Sequence, residues 1–504
     1  MTNTNTNINA DDSLPQFAKM IDRVGGDHKN YQYEGVRWCR QNEQDGRGGG
    51  LVADEMGLGK TLTMIGLLIE NFKRRTLIVV PVALIDQWRD QIHRFTGHSP
   101  VVFHGKGRKV DPAVLLSAPV VLTTYGMTAF NNKRPRITPL HDIQWDRVIF
   151  DEAHHLRNPK TTKYGGAATL RTPIRWLVTG TPLQNKKKDL VTLATLVGVT
   201  CEELVSTDSQ RGHGGRMLRR TKDDVGLGLP PVIAHTHNVL WTSKKERALA
   251  EEMHSVLQFS NVPPSKLGDI SNNMCPRIIV ALTRAKQMCT MPAAMAKCIN
   301  ELVTAGAIPA NHPSVAGATR HSKLNAVVDQ ITDNRNNQTK KLVFCTYHQE
   351  MVFLTQELRG LGMNVEMRGG KGRKRSRNDD GTEPESGTEP RSWKNTPPPM
   401  MLASAGQNAD ILILQVQTCC EGLNLQAYSE VYFVTPHWNP FVEEQAVARC
   451  HRIGQKADVH VYRFFMDGGA FQSKEGDSAM PMSFDTHVKH IQQEKLSLSR
   501  ALIA

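Results

Sequence analysis

The apolar positions of this chain come in short unbroken runs separated by amphipathic stretches. Leu51-Val52-Ala53, Thr76 to Val80, Val101 to Phe103, Val120 to Thr124, Val148 to Phe150 and Trp176 to Val178 are such runs. Runs of that length without polar alternation mark strands covered on both faces. Between them, Leu62 to Phe72 and Leu84 to Phe95 repeat apolar residues at helical spacing. Trp88, Ile92 and Phe95 are assigned to the core side of their helix. Strand and helix in alternation predict a parallel sheet flanked by helices. The pattern returns later: Lys341 to Cys345, a run ending at Arg368, Asp410 to Leu414 and Val431 to Val434 read as strands, and Met351 to Leu361 as a helix. The expected fold is α/β, with two lobes, each a mainly parallel sheet with flanking helices.

Four boundaries follow. Residues 28–235 form the first lobe and 321–480 the second, with 1–27 as a flexible N-terminus and 481–504 as a tail. Residues 236–320 are less orderly and read as a helical linker or insertion, with helical spacing over Lys244 to Gln258 and Arg277 to Cys289. Inside the second lobe the composition breaks. Lys371 to Pro399 holds a basic cluster, an imperfect Gly-Thr-Glu-Pro repeat and a triple proline. Such a segment cannot bury enough apolar surface to fold, so 371–405 is expected to be a disordered insert. Its basic cluster suits a nuclear address, a tether contacting DNA, or a solvated linker.

Charge and cysteine content narrow the class. A net charge of +13 over 504 residues points to a polyanionic partner; excess lysine serving solubility is the plain alternative. The nine cysteines include no CxxC pair, and Cys419-Cys420 is the only close pair. That usage predicts a reduced, intracellular protein without a structural zinc. Met1 to Asp12 lacks an apolar signal core, and no run reaches the length of a membrane span.

The candidate chemistry sits where strands end. After Leu51-Val52-Ala53 comes Asp54-Glu55-Met56-Gly57-Leu58-Gly59-Lys60-Thr61, then a helix. Gly57 and Gly59 let the backbone curl so that N–H groups point inward, and the helix N-terminus adds its positive end. Lys60 is placed to reach the β- and γ-phosphates, and Thr61 to hold Mg²⁺. Asp54 stands where the phosphate-loop pattern has its first glycine, so a Gly-rich turn before a helix is the alternative. Gln32, upstream, can both donate to and accept from an adenine edge. The strand at Val148 to Phe150 delivers Asp151 and Glu152 at its C-terminal end, where ligands sit in open α/β sheets. Asp151 suits the Mg²⁺ shell and Glu152 the polarisation of an attacking water. Thr179-Gly180-Thr181 ends another strand, with hydroxyls able to link this site to a second ligand.

The stretches Asp54–Thr61, Asp151–His154 and Thr179–Asn185 resemble motifs I, II and III of helicase superfamily 2. Their wording, DEMGLGKT, DEAHHLRNP and TGTPLQN, resembles that of its Swi/Snf-like ATPases. Tyr31-Gln32 resembles the glutamine motif, Met217 to Lys222 followed by Leu229-Pro230-Pro231 the segment after the first lobe, Glu421 to Leu425 motif V, and Gln445 to Gln455 motif VI. The resemblance runs from about Tyr31 to about Phe465. It implies two RecA-like lobes with ATP and Mg²⁺ held between them. It implies ATP contacts at Gln32, Asp54, Glu55, Met56, Gly57, Leu58, Gly59, Lys60, Thr61, Gly422 and Gln445, with the metal near Thr61 and Asp151. Lys60, Asp151, Glu152, Arg449 and Arg452 are the implied catalytic set, with Arg449 or Arg452 as an arginine finger. Both arginines are expected on one helical face, at i and i+3, although a surface salt-bridge pair has the same spacing. Thr124, His154, Thr179, Thr181, Asn424 and Trp438 are the implied coupling or DNA-contacting residues. The chain departs from the family at Cys419-Cys420, where Gly-Gly is usual; a Cβ at each position alters the backbone approach to motif V.

The expected function is a DNA-dependent ATPase that moves along duplex DNA, gripping phosphates without reading sequence, with targeting left to protein partners and no membrane involved. The setting is intracellular: the nucleus, or a cytoplasmic site of viral replication. The alternatives are a strand-separating DNA or RNA helicase and a non-hydrolysing, ATP-dependent DNA-binding scaffold.

Overall fold

The structure is a computed structural model. It describes residues 14–105, 110–130, 138–183, 187–206, 215–244, 246–247, 250, 276–292, 304, 321–368, 409–416, 425–467 and 483–503. The chain divides into two units, meeting in sequence at Gly228 and Leu229.

In the first unit the strands are β1 (Gly49–Val52), β2 (Thr76–Val80), β3 (Val101–Phe103), β4 (Val120–Thr124), β5 (Arg147–Asp151), β6 (Arg175–Val178) and β7 (Met217–Leu218). They stand in the order β3-β4-β2-β5-β6-β1-β7, and every described pairing is parallel. Both faces are covered, as the unbroken apolar runs require. Val148 and Phe150 of β5 enter one core with Leu77 and Val79, while Ile149 enters the other with Ile78 and Val80. The chain passes from β1 to β2 over two intervening strands, β6 and β5. Such a reversal of strand order opens a crevice at the C-terminal ends of the strands.

Three helices frame that crevice: α2 (Asn30–Gln44), α3 (Lys60–Glu70) and α4 (Ile85–Thr96). The C-terminal end of α2 is tied to the sheet by a buried charge. Glu43 accepts from Arg147 Nε of β5 at 2.6 Å and from Trp176 Nε1 of β6 at 2.8 Å. Breaking such a pair strands a buried charge, at a cost of about 3–5 kcal/mol.

Three sequence expectations need correction. Residues 15–23 of the supposed flexible N-terminus form helix α1 (Pro15–Arg23), which buries Phe17, Met20 and Ile21. Its seat is Gly66 of α3, where a Cβ would lie 2.7 Å from both the Phe17 ring and Val36. Secondly, the first lobe ends before residue 235, because β8 (Val232–Val239) belongs to the other sheet. Thirdly, the tail is a helix, Phe484–Ile503, whose Phe484 and Val488 enter the second unit's core and whose Ile491 is buried. Spacing of i, i+4 and i+7 puts those residues on one face. A buried Lys323–Asp485 ion pair of 2.5 Å fixes its start.

The second sheet comprises β8, β9 (Lys340–Cys345), β10 (Val365–Arg368), β11 (Ile411–Gln415), β12 (Tyr428–Phe433) and β13 (Val459–Met466), in the order β10-β11-β9-β12-β13-β8. Its described pairings are also parallel. The helix expected over Arg277–Cys289 spans Pro276–Thr290 and puts Ala285 and Cys289 in this core. The insert 371–405 and most of Lys244–Gln258 lie outside the described residues.

Candidate ATP site

Between β1 and α3 the backbone makes the curl that the glycines permit. Gly57 and Gly59 have φ of 96° and 81°, and Gly59 caps α3. A Cβ at Gly59 would sit 3.0 Å from Gln32 Nε2, so the buried Gln32 amide lies directly against the loop. Leu58 is buried and anchors the turn. Lys60 Nζ donates to the carbonyls of Asp54 (2.8 Å) and Glu55 (3.2 Å). Thr61 follows in the first turn of α3. The turn after β6 closes on this loop: a Cβ at Gly180 would lie 2.6 Å from Met56 Cγ and 3.2 Å from Lys60 Nζ.

Asp54, the residue in place of the pattern's first glycine, has a structural partner that the sequence reading did not assign. Arg220 clasps its carboxylate from both sides, Nε to Oδ1 at 3.1 Å and NH2 to Oδ2 at 2.5 Å. The same guanidinium donates to the Tyr31 carbonyl and lies 5.6 Å from the Tyr31 ring centroid. Next along, Glu55 accepts from the Lys222 backbone N–H (2.8 Å) and pairs with Lys222 Nζ (3.3 Å). The segment leaving this lobe thus holds the loop and the Gln32 helix together. The available signal was Asp54 itself: a buried acid in a phosphate loop demands a cation.

Asp151 ends β5, separated from β1 by β6 alone. Strand spacing then brings the ends of β5 and β1 within about 10 Å. Asp151 Oδ1 accepts from the Glu152 N–H (2.9 Å) and Oδ2 from Trp88 Nε1 (2.6 Å). Burial, and then repulsion from Glu152, push the Asp151 pKa up to about 6. Glu152 is buried and takes a left-handed backbone, φ 50° and ψ 48°. That conformation costs a side chain about 1–2 kcal/mol, and such strain gathers at working sites. Glu152 Oε2 lies 3.2 Å from His154 Nδ1, which in turn is 3.3 Å from Thr179 Oγ1. Thr179 Oγ1 accepts from the Thr181 N–H at 3.2 Å. A line of close polar contacts, hydrogen-bonded from His154 onward, therefore joins the carboxylate pair to the turn after β6. Thr124, at the end of β4, is buried with its hydroxyl 3.2 Å from His104 Nδ1.

In the second unit the helix carrying Gln445 is Pro440–Val447, so Arg449 and Arg452 do not share a helical face as expected. They lie in the turns that follow. Arg449 N–H bonds to the Ala446 carbonyl and Cys450 N–H to Val447, three residues back in each case. Gln455 completes the ending: its Nε2 donates to the carbonyls of Gln426 (3.0 Å) and Cys450 (3.2 Å). Gln426 Nε2 reciprocates to the Ile453 carbonyl. Arg452 Nε donates to the Ala448 carbonyl at 2.9 Å. Burial, and then the neighbouring Arg449 charge, lower the Arg452 pKa to about 10. Two guanidiniums crowded together in a desolvated turn favour an anionic ligand. Trp438 packs instead against the C-terminal helix, over Phe484 at 6.2 Å and under Lys495 Nζ at 5.9 Å. Gly422, Asn424, Cys419, Cys420, Gln184 and Asn185 lie outside the described residues. No group of three or more His, Cys, Asp or Glu side chains suited to a metal occurs among the described residues. None of the described helices is long and apolar enough to cross a membrane.

The phosphate loop and the acidic pair beside it lie at the C-terminal ends of strands in a chain of two parallel-sheet units. The SNF2-related domain family matches residues 31–207. The probable global transactivator of Orgyia pseudotsugata multicapsid polyhedrosis virus is 26% identical over 459 residues, covering 87% of this chain and 86% of that protein. The ATP-dependent helicase rhp16 of Schizosaccharomyces pombe is 23% identical over 579 residues, covering 86% of this chain but 64% of its own length. The Pyrococcus furiosus Hef helicase domain is similar in fold, with a TM-score of 0.52 at 15% identity over 89% of this chain and 97% of that one. The chain thus carries an SNF2-related domain over residues 31–207 and is similar over most of its length to an ATP-dependent helicase.

Proposed function

We propose that this chain is a DNA-dependent ATPase that converts hydrolysis into movement along duplex DNA, remodelling protein–DNA contacts without separating the strands. One observation carries the reading: the phosphate loop, the Asp151–Glu152 pair and the Thr179–Thr181 turn converge at the C-terminal edge of one sheet.

In this reading Gln32 takes the adenine edge and the loop N–H groups of 57–61 cradle the phosphates, with Lys60 leaving its two carbonyls for the β- and γ-phosphates. The crowded carboxylates fit a divalent cation, since two buried like charges gain most from a cation placed beside them. Thr61 and Asp151 would hold Mg²⁺, which would supply positive charge against the phosphates. Glu152, aimed by its strained backbone and by His154, takes the proton of the attacking water. Arg449 and Arg452 stabilise the charge that develops on the transferred phosphoryl group. His154, Thr179, Thr181 and Thr124 are internal coupling residues in this scheme. The burial of the three threonines supports relaying the nucleotide state over touching DNA. Grip on DNA is through phosphates, is salt-sensitive and does not read sequence. The net charge of +13 supports such a partner. The nucleus, or a site of viral DNA replication, is the compartment that supplies it, and protein partners supply targeting.

The test measures ATPase rate against duplex DNA, single-stranded DNA and RNA in parallel, with triplex displacement and forked-duplex unwinding on the same preparation. Duplex stimulation, ATP-dependent triplex displacement and no unwinding are expected. Preferential stimulation by RNA, or efficient unwinding without triplex displacement, would replace this reading with a strand-separating helicase. DNA binding with no turnover would replace it with a scaffold.

A further inference from the structure

Trp88 belongs to the core by spacing and by burial, with 1% of its surface exposed. Its indole N–H does something that packing alone does not require. A buried indole N–H needs an acceptor, and a backbone carbonyl suffices; Trp145 in this same lobe uses the Leu140 carbonyl at 2.8 Å. Trp88 instead reaches from α4 to the side chain of Asp151, 2.6 Å from Nε1 to Oδ2. A second aromatic residue grips the same amino acid from another element. Tyr125, just after β4, donates its hydroxyl to the Asp151 backbone carbonyl at 2.6 Å. The Tyr125 ring is 3% exposed and stacks on Phe150 at 6.3 Å.

The consequence follows from counting acceptor positions. An ionised carboxylate offers about four lone-pair sites on two oxygens. Asp151 has one used on each oxygen, Oδ1 by the Glu152 N–H and Oδ2 by Trp88. Bonds to both oxygens stop the carboxylate from rotating and leave one face of each oxygen for an incoming group. A donor on the carboxylate also offsets the burial and the Glu152 repulsion that work against its charge. Groups placed this way around a metal-holding side chain typically set affinity by about 10–100-fold.

We propose that Trp88 and Tyr125 are positioning residues for Mg²⁺: they hold Asp151, from α4 and from the end of β4, in the orientation that receives the cation with nucleotide. The inference rests on the ATP-site reading above. Neither residue touches nucleotide or the reacting atoms. Their effect is on how much Mg²⁺ the site needs, more than on how well nucleotide fits the loop.

The experiment uses the full chain and a fluorescent, non-hydrolysable ATP analogue, so that turnover plays no part. Binding is titrated with Mg²⁺ and repeated in EDTA for wild type, Trp88→Phe and Tyr125→Phe, with far-UV circular dichroism melts alongside. Trp88→Phe keeps an aromatic ring and removes the N–H; Tyr125→Phe removes one oxygen. Half-saturating Mg²⁺ should rise about tenfold or more in Trp88→Phe and severalfold in Tyr125→Phe. Analogue affinity in EDTA should stay within about twofold of wild type. A wild-type Mg²⁺ requirement in either folded variant would overturn the proposal, and Tyr125→Phe decides it if Trp88→Phe does not fold. If wild type itself shows no Mg²⁺-dependent binding, the ATP-site reading fails instead.

Discussion

The two lobes hold their working charges in opposite ways. In the first, charge is met by opposite charge: Asp54 by Arg220, Glu55 by Lys222. A crowded like pair, Asp151 with Glu152, is kept in place by Trp88 and a strained backbone. In the second, like charges sit together, and it is amides and carbonyls that hold their turn. Arg452 rests on the Ala448 carbonyl, and Gln455 and Gln426 lace the turn to the start of β12. The lesson is one of division. Under the proposed roles, the site that grips nucleotide is prebuilt by ion pairs, and the turn that meets the transferred phosphoryl group takes its rigidity from neutral groups.

The largest effects should come from removing the reacting charges themselves. Glu152→Gln should leave analogue binding near wild type and reduce turnover by orders of magnitude, because an amide cannot accept the proton. Arg452→Ala should also spare binding by the first lobe, and lower the DNA-stimulated rate by about 10³ or more. Steady-state kinetics beside equilibrium binding checks both. Normal turnover in Arg452→Ala would break the comparison, since the turn would then be structural only.

Next in size is Arg220→Ala, which strands the buried Asp54 carboxylate. Loss of about 3–5 kcal/mol is expected, read as a lower denaturant midpoint for the first lobe. Nucleotide affinity should fall with it, because the same guanidinium holds Tyr31 beside Gln32. Gln455→Ala, the counterpart in the second lobe, removes neutral hydrogen bonds worth about 1 kcal/mol each. It should lower the rate through a looser Arg452 turn while changing the melting temperature little. A larger stability loss than in Arg220→Ala would invert the contrast.

Smallest, and opposite in sign, is Asp151→Asn. A carboxylate whose folded pKa is raised to about 6 destabilises the nucleotide-free fold at neutral pH. That cost is present above the folded pKa and disappears as pH falls towards the unfolded value near 3.9. Asp151→Asn should therefore abolish turnover yet raise the free energy of unfolding at pH 7.5, by about 1 kcal/mol. The advantage should shrink as pH falls from 7 to 5. A variant less stable than wild type at pH 7.5 would show that the Trp88 bond outweighs the repulsion.

Most of the sheet architecture was legible because fully covered parallel strands announce themselves as unbroken apolar runs, and Val148 to Phe150 or Lys341 to Cys345 need no partner to be recognised. The loop at 54–61 and the pair at 151–152 were legible because their chemistry is local. Arg220 was not, since a clasp 166 residues along the chain from Asp54 leaves no trace in spacing. Trp88 was visible only as core, because periodicity reports which way a side chain faces and says nothing of its N–H. The arginine turn was misread as helix for a related reason. The spacing of Arg449 and Arg452 fits a helix, and what ends it is the Gln455 side chain, folded back from beyond. α1 and the final helix were overlooked because each is short or terminal and is recruited by packing, Phe17 against Gly66 and Phe484 with Val488 against the second core.

One strand limits how this protein can be cut. β8 pairs with β13 along its whole length, from Val232 opposite Val459 to Val239 opposite Met466. The chain has thus already laid down the outermost strand of its second sheet long before the rest of that sheet is synthesised. A fragment begun at residue 321, where the later half looks self-contained, would leave the far side of β13 bare, an open edge that invites pairing between molecules. Expression of the halves as separate pieces calls for a break at Gly228–Leu229, and a protease that nicks the region between β8 and residue 321 should leave two pieces that stay together until denatured.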